Sequence, residues 1–249
     1  MAAIVLDHIS KLFGEVLAVD DVALRVEDGE FMVLVGPSGC GKSTILRMIA
    51  GLEEVTAGEI EIGDEQVTDL EPKERDIAMV FQNYALYPHM TVEQNLGFGL
   101  KLQHVSKQER QDRVREAATI LGLQDMMTRK PSELSGGQRQ RVAIANALVG
   151  QPRMLILDEP LASLDLRNQH EIVRLLARLN SELGMTILVV AHDLNPLLAV
   201  LDSAIYLLDG HAHYAAIDEV VDADLLTHLY GTKIHVAHTL QGDMYMRSV

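Results

Sequence analysis

Gly36-Pro37-Ser38-Gly39-Cys40-Gly41-Lys42-Ser43 decides the reading of this chain. The octapeptide follows the apolar run Phe31-Met32-Val33-Leu34-Val35 and precedes the helix-forming stretch Thr44-Ile45-Leu46-Arg47-Met48-Ile49-Ala50. A buried strand therefore runs through a glycine-rich loop into a helix. The glycines let successive backbone N–H groups turn inward around phosphate oxygens, and the helix start adds the positive end of a dipole. The expected cradle is Gly36, Ser38, Gly39, Cys40, Gly41 and Thr44. Lys42 reaches toward β- and γ-phosphates as a mobile charge, and Ser43 offers its hydroxyl to Mg²⁺. A glycine turn that binds nothing is the bland alternative. It is disfavoured because loop, lysine, hydroxyl and flanking elements all agree.

Composition bounds the rest. The chain has 249 residues, 48% of them hydrophobic, enough for one large domain with an inserted lobe. Its formal net charge of -15 argues against a sequence-independent grip on nucleic acid phosphates. The one cysteine, Cys40, lies inside the glycine loop, which excludes an internal disulfide framework and fits a cytosolic setting. The start, Met1-Ala2-Ala3-Ile4-Val5-Leu6-Asp7-His8, lacks a basic segment and a long apolar one, so it is not read as a secretory signal. No run approaches the ~20 apolar residues needed to span a bilayer. A role at a membrane would need another subunit.

Local patterns fill in the order of elements. Ile4 to Leu12, Val22 to Val26, and Gly58 to Gly63 with its period-two alternation, predict strands at the start. Ile77 to Phe81 is an apolar run that predicts a buried strand. From about Met90 to Arg129 the pattern is helical, with capping-box spacing at Ser106-Lys107-Gln108-Glu109 and Gly122 at a helix end. From Pro152 the core resumes. Met154 to Leu157, Thr186 to Ala191 and Ser203 to Leu208 predict strands, the last ahead of Asp209-Gly210, and Leu166 to Leu183 predicts a helix closed by Gly184. Strands alternating with helices imply a mostly parallel sheet covered on both faces. The organisation expected is a single domain over 1–249, with a core of about 1–87 and 151–249 and a helical subdomain of about 88–150.

Two more motifs carry chemistry. Met154-Leu155-Ile156-Leu157-Asp158-Glu159 ends a strand in two carboxylates. Downstream of a phosphate loop, Asp158 is placed to hold Mg²⁺ and Glu159 to polarise water as general base. Leu134-Ser135-Gly136-Gly137-Gln138 opens a helix with a hydroxyl and two residues lacking Cβ, which makes a second anion nest. Its plain alternative is a helix start capped by Ser135. Two phosphate-binding helix starts beside a single complete loop make sense if the second serves a nucleotide held by another copy.

With these residues in view, the chain resembles the nucleotide-binding subunit of an ATP-binding cassette (ABC) transporter over nearly its whole length. Gln82 matches the family's glutamine loop, Leu134 to Gln138 its signature, Ala162-Ser163-Leu164-Asp165 its D-loop, and His192 its switch histidine. Phe13 matches the aromatic on which the family stacks adenine, with simple packing as the alternative. The resemblance implies an α/β, P-loop NTPase fold: a RecA-like core with an N-terminal antiparallel β subdomain and an inserted helical subdomain. It also implies ATP and Mg²⁺ as cofactors, with Ser43, Gln82 and Asp158 toward the metal. Glu159, His192 and Gln82 become the catalytic set. Two copies, identical or different, would close head to tail, each ATP lying between the phosphate loop of one and Ser135, Gly136, Gly137 and Gln138 of the other. An integral membrane permease would be the further partner, on the cytoplasmic face.

Cargo divides the halves. Val80 to Val92 resembles carbohydrate, glycerol-phosphate and polyamine importer ATPases, whose additional C-terminal β domain has no room before Val249. From Pro160 onward, Leu161 to Gln169, Ala191 to Leu197 and Leu229-Tyr230-Gly231-Thr232 resemble zinc and manganese importer ATPases, and Asn146 departs from the family's arginine. The first half carries the coupling surface, so a sugar, polyol or polyamine cargo leads and a divalent metal is the alternative. A soluble non-transport ABC ATPase is a second class, disfavoured by one cassette without a heptad run. A non-hydrolysing regulatory module is a third, disfavoured by intact Lys42, Asp158, Glu159 and His192. The late histidines His211, His213, His228, His235 and His238 fit no ligand spacing and read by default as a solvated tail, with metal binding as the alternative.

Overall fold

The continuous apolar runs after Glu30, Arg153 and Met185 form β3 (Phe31–Val35), β7 (Met154–Asp158) and β8 (Thr186–Val190), each buried along its whole length. A computed structural model describes residues 3–208, 211–216, 226–227, 231–238 and 244–248. In it β3, β7 and β8 lie in a six-stranded sheet of order β10-β9-β3-β8-β7-β6. β6 (Ile77–Val80) and β9 (Ser203–Leu208) continue the parallel pairing, and β10 (His211–Ala216) adds antiparallel to β9. A four-stranded antiparallel sheet, order β2-β1-β4-β5, is built from β1 (Ile4–Phe13), β2 (Val16–Val26), β4 (Ala57–Ile62) and β5 (Glu65–Gln66). β11 (Ile234–His238) and β12 (Met244–Ser248) form a separate hairpin. The helices are α1 (Lys42–Ile49), α2 (Val92–Leu102), α3 (Lys107–Ile120), α4 (Gly136–Leu148) and α5 (Leu166–Leu183).

Strand periodicity divides the apolar material into two cores. Phe31, Val33, Val35, Leu155, Leu157, Ile187 and Val189 face one side, packed with residues of α2 to α5. Met32, Leu34, Met154, Ile156, Leu188 and Val190 face the other, packed with α1 and the antiparallel sheet. A one-residue slip of β3 would exchange the two sets, so burial on both faces pins its register.

Several expectations shift. Ile77, Ala78 and Met79 are only half-buried, with Val80 the one buried residue of β6, because β6 is the sheet's edge and meets β7 alone. β2 begins six residues before the predicted Val22, at an exposed Val16 and Leu17. The helical stretch is two helices, α2 and α3. Ser106 caps the Glu109 N–H at 3.3 Å, but Glu109 binds Arg113 instead of closing the box. Complete boxes form at Thr91/Gln94 and Ser135/Gln138. The reading of the late residues as a solvated tail needs correction where they are described. His211 and His213 project from β10 and His235 from β11, all exposed, and His238 ends β11. Asp209-Gly210, His228, Leu229, Tyr230 and Val249 lie outside the described residues. Among those described, no group of three or more His, Cys, Asp or Glu could hold a metal ion, and no helix is long and apolar enough to cross a membrane.

Candidate functional site

Every expected hydrolytic side chain emerges at the carboxyl end of the parallel sheet, where crevices in such folds lie. The loop after β3 delivers Lys42 and Ser43, β7 delivers Asp158 and Glu159, and β6 and β8 lead into Gln82 and His192. Gly41 caps α1 at φ 97°, and a Cβ there would stand 2.5 Å from the Ala18 carbonyl of β2. Only glycine permits both that backbone angle and that approach.

Lys42 is buried and donates from Nζ to the carbonyls of Gly36 and Pro37, each at 2.8 Å, with Cys40 Sγ at 3.7 Å. Its ammonium therefore spans the loop mouth. Ser43 Oγ donates to Asp158 Oδ1 at 3.0 Å. Burial pushes the Asp158 carboxyl above the usual carboxylate range; the Ser43 hydrogen bond opposes this and the charge of Glu159 adds to it.

Glu159 turns the chain at φ 51°, a left-handed angle costly for a residue with a side chain. Its N–H donates to Val190 O of the neighbouring strand at 3.1 Å, which helps hold the turn. Both carboxylate oxygens are engaged. Gln82 Nε2 donates to Oε2 at 2.9 Å, and His192 Nε2 lies 2.7 Å from Oε1. A carboxylate accepts, so the imidazole donates from Nε2 here. Three strand ends thus converge on one carboxylate, beside a cleft of about 160 Å³ lined by Glu159, Leu161, Ser163, Gln169 and His192.

Phe13 ends β1 at 47% exposure, so it is not a core residue. Lys11 Nζ sits 5.0 Å from its ring centroid, held by Glu53 at 2.7 Å and the Glu54 carbonyl at 2.7 Å. One ring face carries a cation.

Ser135 caps α4, accepting the Gln138 N–H at 3.3 Å while Gln138 Oε1 accepts the Ser135 N–H at 2.8 Å. A Cβ on Gly137 would fall 2.0 Å from Asn168 Oδ1. Asn168 cannot retreat, because Asp165 accepts from its backbone and its amide, both at 2.8 Å. Those bonds hold the Asp165 carboxyl below the usual range. The structure does not bring this corner to its own phosphate loop: among the described residues no hydrogen bond joins 135–138 to 36–44. Instead α4 packs on α2, α3, α5 and β6, and α1 on β2 and β7.

Sequence reasoning missed Asn95. It is 1% exposed, accepts the Tyr87 N–H at 2.8 Å and donates to Tyr87 O, Met90 O and Thr91 O. It ties the loop after Gln82 to α2, and Tyr84 and Ala85 in that loop are both left-handed (φ 61° and 49°). Beside it runs a groove of about 470 Å³ lined by Tyr84, Tyr87, Phe98, Leu102 and Asn146. Arg139 of α4 stacks over the Tyr84 ring at 5.7 Å.

A phosphate-cradling loop with an acidic partner strand, on a mostly parallel sheet, defines a nucleotide-binding α/β fold. The profile of the ABC transporter family matches residues 19–162, and the chain belongs to that family. It is 54% identical over 193 residues to the sn-glycerol-3-phosphate import ATP-binding protein UgpC of Ruegeria pomeroyi, covering 78% of this chain and 55% of that protein. It is 55% identical over 199 residues to the trehalose/maltose import ATP-binding protein MalK of Thermococcus litoralis, covering 78% and 54%. The chain thus spans about half the length of these curated relatives. Among solved structures, the dimeric ATP-binding cassette MJ0796 in a post-hydrolysis state bound to ADP and Pi superposes with a TM-score of 0.77. It is 36% identical and covers 86% of this chain and 98% of that one.

Proposed function

We propose that the chain binds and hydrolyses ATP as a nucleotide-binding subunit of an importer. The convergence of Gln82 and His192 on Glu159, at the carboxyl end of the sheet that also holds Lys42, Ser43 and Asp158, is the observation that carries this reading. Glu159 orients and deprotonates the attacking water, and His192 and Gln82 hold its carboxylate in line. Lys42 leaves its loop carbonyls for the phosphates. Ser43 and Asp158 present an all-oxygen pair at a buried carboxylate whose ionised form a cation would stabilise, which fits Mg²⁺, with the Gln82 amide oxygen as a further donor. When bound, Mg²⁺ supplies neutralisation of triphosphate charge.

Ser135 to Gln138 serve the nucleotide of a second copy, because their own loop does not use them and a relative of this fold is dimeric. Residues 88–150 act as the lobe that responds, and the groove beside Tyr84 and Tyr87 receives a membrane permease. The chain works at the cytoplasmic face, attached through that permease. Sugar or polyol-phosphate cargo is supported by the named activities of the relatives. The resemblance of Leu161 to Gln169 and Ala191 to Leu197 to metal importers supports divalent metal as the second reading.

The purified chain with Mg²⁺ and ATP should release phosphate, and in membranes it should co-purify with a permease. A folded chain that releases none overturns the hydrolytic reading. Phe13→Ala should raise the ATP Kd roughly 3- to 10-fold, about the worth of one aromatic stack, with kcat unchanged. Equilibrium binding and steady-state rates check both halves of that expectation.

A further inference from the structure

The phosphate-loop helix α1 ends in a corner that leaves acceptors to be filled. Leu52 N–H donates to Arg47 O at 2.8 Å and Gly51 N–H to Met48 O at 3.1 Å, the paired bonds of a Schellman turn. The Ile49 carbonyl and a second lone pair of Met48 O remain. Arg75 takes both, donating from Nη1 at 3.0 and 2.7 Å. Its Nη2 donates to Thr68 O at 2.9 Å and its Nε to Leu70 O at 3.0 Å. Arg75 is 4% exposed, and among the described residues it has no carboxylate within ion-pair distance. Burial opposes the charge and Asp69 favours it from beyond ion-pair distance, so its direct partners are telling: four carbonyls and the negative end of a helix dipole. The neighbouring chain is shaped around it. Gly51 lies at φ 69°, and a Cβ there would sit 2.6 Å from Arg75 Nε and 2.8 Å from Cζ.

What Arg75 joins matters for the chemistry. It stands two residues before β6, the strand that leads into Gln82. Its neighbour Asp76 binds the head of the next strand, β7, through Arg153: Nε to Oδ2 at 2.7 Å and the Arg153 N–H to Asp76 O at 3.2 Å. One buried guanidinium therefore fastens the tail of the helix bearing Lys42 and Ser43 to the start of the strand delivering Gln82, beside the strand delivering Glu159.

We propose that Arg75 is a positioning residue for hydrolysis, holding the head of α1 in register with Gln82 and Glu159. The proposal rests on the ATPase reading above. Nucleotide affinity resides in the loop and the helix head, which move together with α1. Hydrolysis needs that unit aligned with groups on other strands, and a misplacement near 1 Å can cost on the order of a hundredfold. Losing the fork should therefore lower kcat and spare binding.

The test compares full-length Arg75→Gln and Arg75→Lys with the parent chain, measuring ATP Kd, kcat, KM and thermal midpoint. Leu176→Ala, a truncation in α5 within the core on the other face of the sheet from α1, serves as the destabilised control. Arg75→Gln should lose roughly 10- to 100-fold in kcat with Kd within threefold. Arg75→Lys, which keeps the charge but not the fork, should recover part of that loss. Leu176→Ala should keep kcat below its melting range. The proposal is overturned if both Arg75 variants keep parental kcat, if Kd rises as far as kcat falls, or if Leu176→Ala loses as much rate. Should Arg75→Gln not fold, the kcat-to-Kd split in Arg75→Lys decides alone. A parent chain that neither binds nor hydrolyses ATP overturns the ATPase reading and this role with it, whereas an active parent with indifferent variants overturns this role alone.

Discussion

Glu159→Gln should leave ATP binding intact, lower turnover by roughly 10²- to 10⁴-fold, and accumulate an ATP-bound dimer. The geometry explains why binding survives. Glutamine has the same shape and keeps one oxygen to accept from Gln82 Nε2. Its amide N–H then faces His192, which can present the lone pair of its other tautomer at Nε2. The pocket is preserved while the proton acceptor for water is lost. Single-turnover phosphate release and size-exclusion chromatography with and without ATP would measure both effects. Rapid hydrolysis by the variant would remove Glu159 from its role.

Lys42→Ala should act earlier, on binding itself. The ammonium is buried at the loop mouth and already bound to two carbonyls, so it is placed where phosphate oxygens would compete for it. A hydrogen bond to a charged group contributes about 1.5–3 kcal/mol. Its loss corresponds to a rise of roughly 10- to 150-fold in the ATP Kd, with turnover falling at least as far. Titration calorimetry reads the affinity, and a thermal melt confirms that the variant is folded. Unchanged affinity would contradict the assignment of this loop to phosphate.

The parallel core was legible because its strands are short apolar runs bounded by chemistry. Phe31 to Val35 leads into the glycine loop, Met154 to Leu157 into two acids, and Thr186 to Ala191 into a histidine. The α5 helix was legible to the residue, since Asp165 caps it and Gly184 closes it. β10 was not. His211-Ala212-His213-Tyr214-Ala215-Ala216 is a mostly exposed edge strand with one buried residue, so it carries no period-two apolar signal. Glu109 shows the limit of a local motif: its spacing promised a closed capping box, but Arg113, one turn on, claims the side chain. Asn95 and Arg75 were illegible for a different reason. Their partners are backbone groups, and backbone groups look alike at every position in a sequence. The pairing of Gln82 with Glu159 joins residues 77 apart and becomes visible only when β6 and β7 lie side by side.

The carboxylate of Glu159 has no idle oxygen in the single chain, since an amide and an imidazole each hold one. A second lone pair on each oxygen stays open to water, so the two side chains aim the base without blocking it. One amide and one imidazole, reaching in from the strands on either side of β7, thus fix which way the carboxylate faces before any nucleotide arrives.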